Sequence, residues 1–409
     1  MKKCFEEWPE RTSDRFKRDQ KDLLIAEDMT RREFLRAGVG LAAFISGLEM
    51  IAGCATTETR KVITLVYPPL PYNKIQPPQE GCFVGFFIEP EASLRMKDST
   101  FIPQRSPEIE ATRKAKTFDE FVDILKRGTS SRKSQISNEI DYVEKALNAK
   151  PFVYSLPWSK LYSEFPVTQA MAVAKSGIVL FVYGGLGPFD LRIPVPGFGP
   201  KEIAQGQCDN YIKTFAQGAA EFGKEYGGFF FTTMEEMNGN WFSWGKNPNF
   251  IPAWRHIWQI FEDQGANQYA TWVWDPYCPE GVPLSADSPK LYYPGDKYVD
   301  WIGLCAISVA EKPAMNYALN VLIRDTYRQL SKDHPQKPFV ISSFGRTNEI
   351  YQSRWLINAY NSIKNSFPAI KAVIYFHTTW WGTGDHTLNP KGLQTLKEIF
   401  KDPYWVMGK

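Results

Sequence analysis

The chain has 409 residues, room for one large barrel or two ordinary domains. With 43% hydrophobic and 23% charged residues it is composed like a water-soluble globular protein, which excludes a multi-span membrane protein. A net charge of +3 carries no basic excess of the kind that phosphate backbones select, so nucleic acid is not an expected partner. Aromatic residues are the outlying class at 15%, with 13 Trp, 19 Tyr and 28 Phe. Their faces stack on the apolar faces of sugar rings, and they also fill cores.

Taken in chain order, the first feature is a targeting pattern. Thr30-Arg31-Arg32-Glu33-Phe34-Leu35-Arg36 is a twin-arginine motif, and an apolar run over 37–53 follows it. The run closes in Ile51-Ala52-Gly53-Cys54, similar to a lipobox. Residues 1–53 are therefore expected to be a signal peptide with Arg31 and Arg32 as its export signal. Cys54 is expected to carry the lipid that anchors the chain to a bilayer, making it an exported bacterial lipoprotein, periplasmic or at the cell surface. Residues 54–80 read as a tether and leading loop, and 81–409 as the folded domain. Cys82, Cys208, Cys278 and Cys305 match no metal or disulfide-framework spacing and read as structural residues. His256, His334, His377 and His386 form no zinc spacing. No metal or organic cofactor is expected.

From Gly81 onward apolar runs alternate with helical patterns. The runs at 82–88, 152–156, 178–183, 229–236, 269–274, 299–307, 339–344 and 370–376 predict buried strands. Helices are predicted over 137–149, 167–175, 202–226, 251–264, 319–332, 351–367 and 391–401. Near-continuous apolar strands separated by helices indicate a parallel sheet covered by helices. Eight such strands predict the α/β fold of a single (β/α)8 TIM barrel. The stretch 275–298, rich in Pro and Tyr, is expected as a loop on its active face.

In such barrels chemistry lies at the C-terminal strand ends. Polar and aromatic residues cluster there: Pro157-Trp158 after strand two, Tyr183-Gly184-Gly185 after strand three, and Glu235-Glu236-Met237-Asn238-Gly239-Asn240-Trp241 after strand four. Trp272-Val273-Trp274-Asp275 ends strand five and His377-Thr378-Thr379-Trp380-Trp381 ends strand eight. Asn238 offers an amide for sugar hydroxyls. Trp241, Trp244, Trp272, Trp274, Tyr277, Tyr293, Trp380 and Trp381, with Trp158 and Tyr183, are expected to line a groove by stacking. Trp272 and Trp274 share one strand face, expected to point inward. By the same alternation Glu235 and Glu236 should point to opposite faces, so that only one looks into the mouth.

Met234-Glu235-Glu236-Met237-Asn238-Gly239-Asn240-Trp241-Phe242-Ser243-Trp244 resembles the strand-four motif of glycoside hydrolase family 26, whose best-known members are β-mannanases. The resemblance continues through Ala253-Trp254-Arg255-His256-Ile257, Trp272-Val273-Trp274, Tyr293-Pro294-Gly295-Asp296-Lys297-Tyr298-Val299-Asp300-Trp301-Ile302-Gly303-Leu304 and Lys337-Pro338-Phe339-Val340-Ile341-Ser342-Ser343-Phe344-Gly345. It implies a polysaccharide partner, mannan-like, attacked within the chain by a monomeric enzyme, with Glu236 on strand four as general acid/base. The family has His where this chain has Glu235, so Glu235 would meet sugar hydroxyls normally met by an imidazole. It has a nucleophilic Glu directly before Phe-Gly on strand seven, where this chain has Ser343.

A serine with no adjacent base does not replace a carboxylate nucleophile. Four outcomes stay open: Glu349 swings in as a substitute; an inverting mechanism uses Glu236 with Asp190 or Asp275; the small Ser343 site serves transfer from a preactivated sugar; or the barrel is catalytically degenerate and binds glycan at the cell surface without cleaving it.

Overall fold

A computed structural model describes residues 65–71, 73–88, 135–156, 159–160, 164–174, 179–185, 197–278, 288–307, 318–347, 351–380 and 384–408. Arg31, Arg32, Cys54, Trp158, Asp190, Glu349 and Trp381 lie outside the described residues, as does the side chain of Trp380.

Eight main strands follow one another along the chain: β1 (Cys82–Ile88), β2 (Val153–Ser155), β3 (Val179–Gly185), β4 (Phe229–Thr233), β5 (Ala270–Trp274), β6 (Trp301–Ile307), β7 (Phe339–Gly345) and β8 (Ile370–His377). Each pairs in parallel with the next, and β8 returns to β1 from Phe83↔Ala372 to Ile88↔His377. The sheet closes into the expected (β/α)8 barrel. Helices α1 (Gln135–Leu147), α2 (Val167–Ala174), α3 (Pro200–Ala204), α4 (Asp209–Tyr226), α5 (Phe250–Asp263), α6 (Leu319–Asp333), α7 (Gln352–Ser366) and α8 (Pro390–Ile399) separate the strands. The single helix predicted over 202–226 is two, because the chain turns at Gly206, whose φ of 76° lies in the left-handed region that glycine enters without strain.

Strand residues alternate between two buried layers, which is why each run reads as continuously apolar. Phe83, Phe181, Phe230, Val273, Trp301, Val340 and Ile374 fill the barrel interior. Val84, Phe86, Phe231, Trp272, Trp274, Ile341 and Phe344 belong to the larger cluster between strands and helices. Much of the aromatic excess is consumed here. Phe230 meets Trp301 edge-on at 5.1 Å inside the barrel, and Phe231, Trp254 and Phe261 surround Trp272 at 4.8 to 5.3 Å outside it.

The leading segment, expected as part of a tether, is from residue 73 bonded to the N-terminal ends of β5 and β6. Ile75 N donates to Thr271 Oγ1 at 2.8 Å, and the Trp301 indole donates to the Ile75 carbonyl at 3.1 Å. Lys74 Nζ donates to Asp300 Oδ2 at 2.7 Å, with both side chains nearly closed to solvent. The same carboxylate oxygen accepts the Trp272 amide at 2.8 Å.

Candidate active site

The C-terminal ends of β4 to β7 converge on one group of polar side chains. β4 stops at Thr233, and the following turn places Met234 and Glu236 at φ of 49° and 52°. Left-handed backbone at two non-glycine residues is strain of the kind that clusters at functional sites. It also ends the strand alternation on which the expectation of opposite faces for Glu235 and Glu236 rested. Glu235 is itself buried, and its carbonyl accepts the Trp244 indole at 2.8 Å.

Glu236 is partly open to solvent. The Trp241 indole N–H donates to its Oε2, and the Cys305 thiol is bonded to it as well. The turn allows this reach because residue 239 is glycine: a Cβ there would stand 2.4 Å from the Trp241 ring. Burial raises the Glu236 carboxyl above the usual range, while the thiol and indole pull it partway back. Cys305 is driven well above the ordinary thiol range by burial and by the neighbouring carboxylates, so it stays a protonated donor.

Asp275, directly after β5, is bonded to the same turn: the Glu236 amide donates to its carbonyl at 2.7 Å. Its side chain crosses β6 at Gly303, where an added Cβ would stand 2.3 Å from Oδ1, and accepts a 2.6 Å hydrogen bond from Ser342 Oγ on β7. Burial holds the Asp275 carboxyl well above the usual carboxylate range. The Ser342 bond opposes this, and Glu236 and Glu235 reinforce it.

β7 carries a bulge. Toward β6, Gly303↔Val340 is followed by Cys305↔Ser343; toward β8, Ile341↔Val373 is followed by Phe344↔Tyr375. Both neighbours find one extra residue in β7 between Ile341 and Phe344. Those two flanking side chains pack outward, so Ser342 and Ser343 share the inner side. Position 343 thus lies beside Cys305, which touches Glu236.

Of the residues expected to bind sugar, the structure keeps Trp241 at the mouth, edge-on to Tyr277 at 4.7 Å. It removes others. Trp272 and Trp274 point outward and are fully buried, not inward as expected, because the interior place on β5 belongs to Val273. Trp272 Nε1 donates to Asn267 Oδ1 at 2.7 Å. Trp244 is buried flat against Phe242 at 4.4 Å. Asn238 uses its amide to clamp Tyr277, with Nδ2 donating to the Tyr277 carbonyl and Oδ1 accepting the Tyr277 amide, both at 2.9 Å. Tyr293 packs at a tilt against His334, ring centroids 4.0 Å apart, just past the end of α6, in a segment that leads into the N-terminal end of β6, away from the active face. Trp272→Phe is expected to lower stability by about 1–3 kcal/mol in a denaturant titration, since Asn267 loses its buried donor.

Two members of the site carry no mark in the sequence. Cys305 looks like a small hydrophobe within an apolar strand, yet parity with interior Trp301 puts it inside. Ser342 belongs to no motif of its own and becomes visible only through the bulge.

A closed parallel barrel that gathers Glu235, Glu236 and Asp275 at its C-terminal strand ends has the architecture of barrels that work at that end. The profile described as glycosyl hydrolase family 26 matches residues 201–409, over half of the chain, and the chain belongs to that family. Endoglucanase H of Acetivibrio thermocellus is 30% identical over 189 residues, 43% of this chain and 20% of that protein. Mannan endo-1,4-beta-mannosidase A and B of Caldalkalibacillus mannanilyticus is 24% identical over 55% of this chain and 45% of its own length. The chain thus spans less than half of either relative. A modular endo-beta-1,4-mannanase of Cellulomonas fimi shares the fold at a TM-score of 0.52 and 16% identity, over 80% of this chain and 72% of that one. The catalytic domain of the Bacillus sp. JAMB-750 endo-beta-1,4-mannanase does so at 0.51 and 15%, over 80% and 87%.

Proposed function

We propose that this protein hydrolyses a β-linked, mannan-like polysaccharide within the chain at the mouth of its barrel, with Glu236 as the proton donor. The observation that carries the reading is the Glu236 carboxyl itself: at the end of β4, partly accessible, raised by burial, and aimed by Trp241 and Cys305. A donor must hold its proton at the working pH, and burial moves the Glu236 carboxyl in that direction. The names of the relatives, which include mannan endo-1,4-beta-mannosidases, support the choice of mannan. Glu235, Trp241, Trp380 and Trp381 are the residues proposed to meet the sugar, and the protein is proposed to act as a monomer. Incubation with β-mannan should release reducing ends, and a preparation that releases none from β-mannan or β-glucan overturns the reading.

Ser343 favours a second reading, in which the barrel holds glycan without cleaving it. That reading expects retention on immobilised β-mannan with no reducing ends at any enzyme concentration.

Export by the twin-arginine route and anchoring through Cys54 belong to the same proposal, with the motif order Arg31-Arg32, apolar run, Cys54 as their support. In a bacterial host, Cys54→Ala is expected to abolish labelling by radioactive palmitate and to move the protein from the membrane pellet to the soluble fraction.

A further inference from the structure

We propose that Cys305 is the positioning residue of the acid: its thiol donates to the Glu236 carboxyl and, together with the Trp241 indole, fixes the direction in which that carboxyl offers its proton. The inference rests on the hydrolase reading above and adds to it the group that holds the donor in place.

The thiol is built into the same frame as the carboxyl. Parity with Trp301 puts Cys305 inside the barrel, near the C-terminal end of β6, where it is buried. Its backbone is bonded on both sides to the segment after β5: the Cys305 amide donates to the Pro276 carbonyl, and the Cys305 carbonyl accepts the Cys278 amide, both at 3.1 Å. Tyr277 bridges to Cys305 between these two bonds, and it is the residue that Asn238 clamps through two hydrogen bonds of 2.9 Å. The Glu236 amide is tied to the Asp275 carbonyl at 2.7 Å. The turn that carries the acid and the strand that carries the thiol are thus joined through one stretch, 275–278, and neither shifts alone. A backbone fixed on both sides leaves the Cys305 side chain only its χ1 rotation. The rotamer it adopts bonds the thiol to Glu236.

Two donors anchored in different elements, the indole in the turn and the thiol on β6, hold the carboxyl in one orientation. Once its proton has gone to the leaving oxygen, the same two donors meet the charge left on Glu236. A thiol is a weak donor, so it orients the carboxyl while favouring the ionised form only a little, and burial remains the largest influence on it. A hydroxyl in its place would favour the ionised form more strongly. Among the described residues, the other titratable groups that act on this cluster are Glu235, Asp275, Tyr183 and Cys278.

The test takes two readouts on the full chain. The S–H stretch of a thiol lies where other protein groups absorb weakly, and the infrared band lost in Cys305→Ala is that of Cys305. It should move to lower frequency as rising pH ionises Glu236, and this movement should vanish in Glu236→Gln. A band that ignores pH, or that moves equally in Glu236→Gln, overturns the inference. The second readout is the rate profile on β-1,4-linked mannohexaose. Cys305→Ala should lower kcat roughly 10–10²-fold at a KM near that of the unaltered protein and move the alkaline limb up. Cys305→Ser keeps a donor, so its kcat at the optimum should recover to within about tenfold of the unaltered protein, with the alkaline limb moved down. Glu235, Asp275, Tyr183 and Cys278 are present in both variants, so opposite movements read position 305 alone; movement in the same direction, or none, overturns the inference. If both variants behave as the unaltered protein while Glu236→Gln is inactive, this inference fails and the hydrolase reading stands. Absence of turnover in the unaltered protein removes the hydrolase reading, and the infrared band then decides whether the thiol holds Glu236.

Discussion

Replacing Glu236 with glutamine is expected to lower kcat/KM on β-mannan by about 10²–10⁴-fold, the usual loss when a positioned general acid disappears. The amide preserves size and can still accept from the Trp241 indole, so binding of unreacted oligosaccharide should change little. The measurement is therefore a split: kcat falls and KM stays. The direction of the Glu236 shift adds a pH signature. Its carboxyl is raised chiefly by burial and lowered by Cys305 and Trp241. Because the acid form is the active one, the alkaline limb of the rate profile should lie above the ordinary carboxylate range. Trp241→Phe removes a hydrogen bond that favours the ionised form, so it should move that limb further up. An unmoved limb would mean that Glu236 is not the titrating acid.

The second large effect is on stability, at the other end of the barrel. Asp300→Ala should destabilise the fold by about 3–5 kcal/mol in urea unfolding, since it leaves the Lys74 ammonium buried beneath β5 and β6 with its charge uncompensated. It also strips the Trp272 amide of its acceptor. Lys74→Met combined with Asp300→Leu should cost much less than Asp300→Ala alone, because no charge is then buried. If the double variant is the worse of the two, the ion pair contributes net stability and desolvation is not the dominant cost. Glycan chemistry should be untouched by either, as the pair lies at the N-terminal strand ends.

Much of this architecture was legible in the residues. The periodicity places all eight strands close to where they fold, since a strand covered on both faces has to be apolar throughout. What that same property hides is orientation. In Ala270–Trp274 every residue is apolar or small enough for either layer, so nothing in the local pattern says that Val273 faces inward and the two tryptophans outward. The expected stacking role of Trp272, Trp274 and Trp244 fails for this reason: their conspicuous chemistry serves the layer between strands and helices. Tyr293 fails for a different one, because a segment that leads into a strand ends at the barrel's inert face.

Glu236 was singled out in the sequence by the resemblance of its motif, at a strand end where the chain leaves the core for the barrel mouth. Of its neighbours, Asp275 was already a candidate at a strand end, whereas Cys305 and Ser342 were not: each is an ordinary residue within an apolar strand.

The sequence by itself determined the class of fold, the location of its active end and the substitution at position 343, because hydrophobic periodicity and motif order are local properties of the chain. Only the tertiary structure decided which side chains share the mouth. A bulge in β7 turned two serines to one side, glycine at 303 opened a path for Asp275, and a left-handed turn brought Glu236 under Trp241. Each of these depends on register between strands that lie far apart in the chain, and register is fixed by packing of the closed barrel.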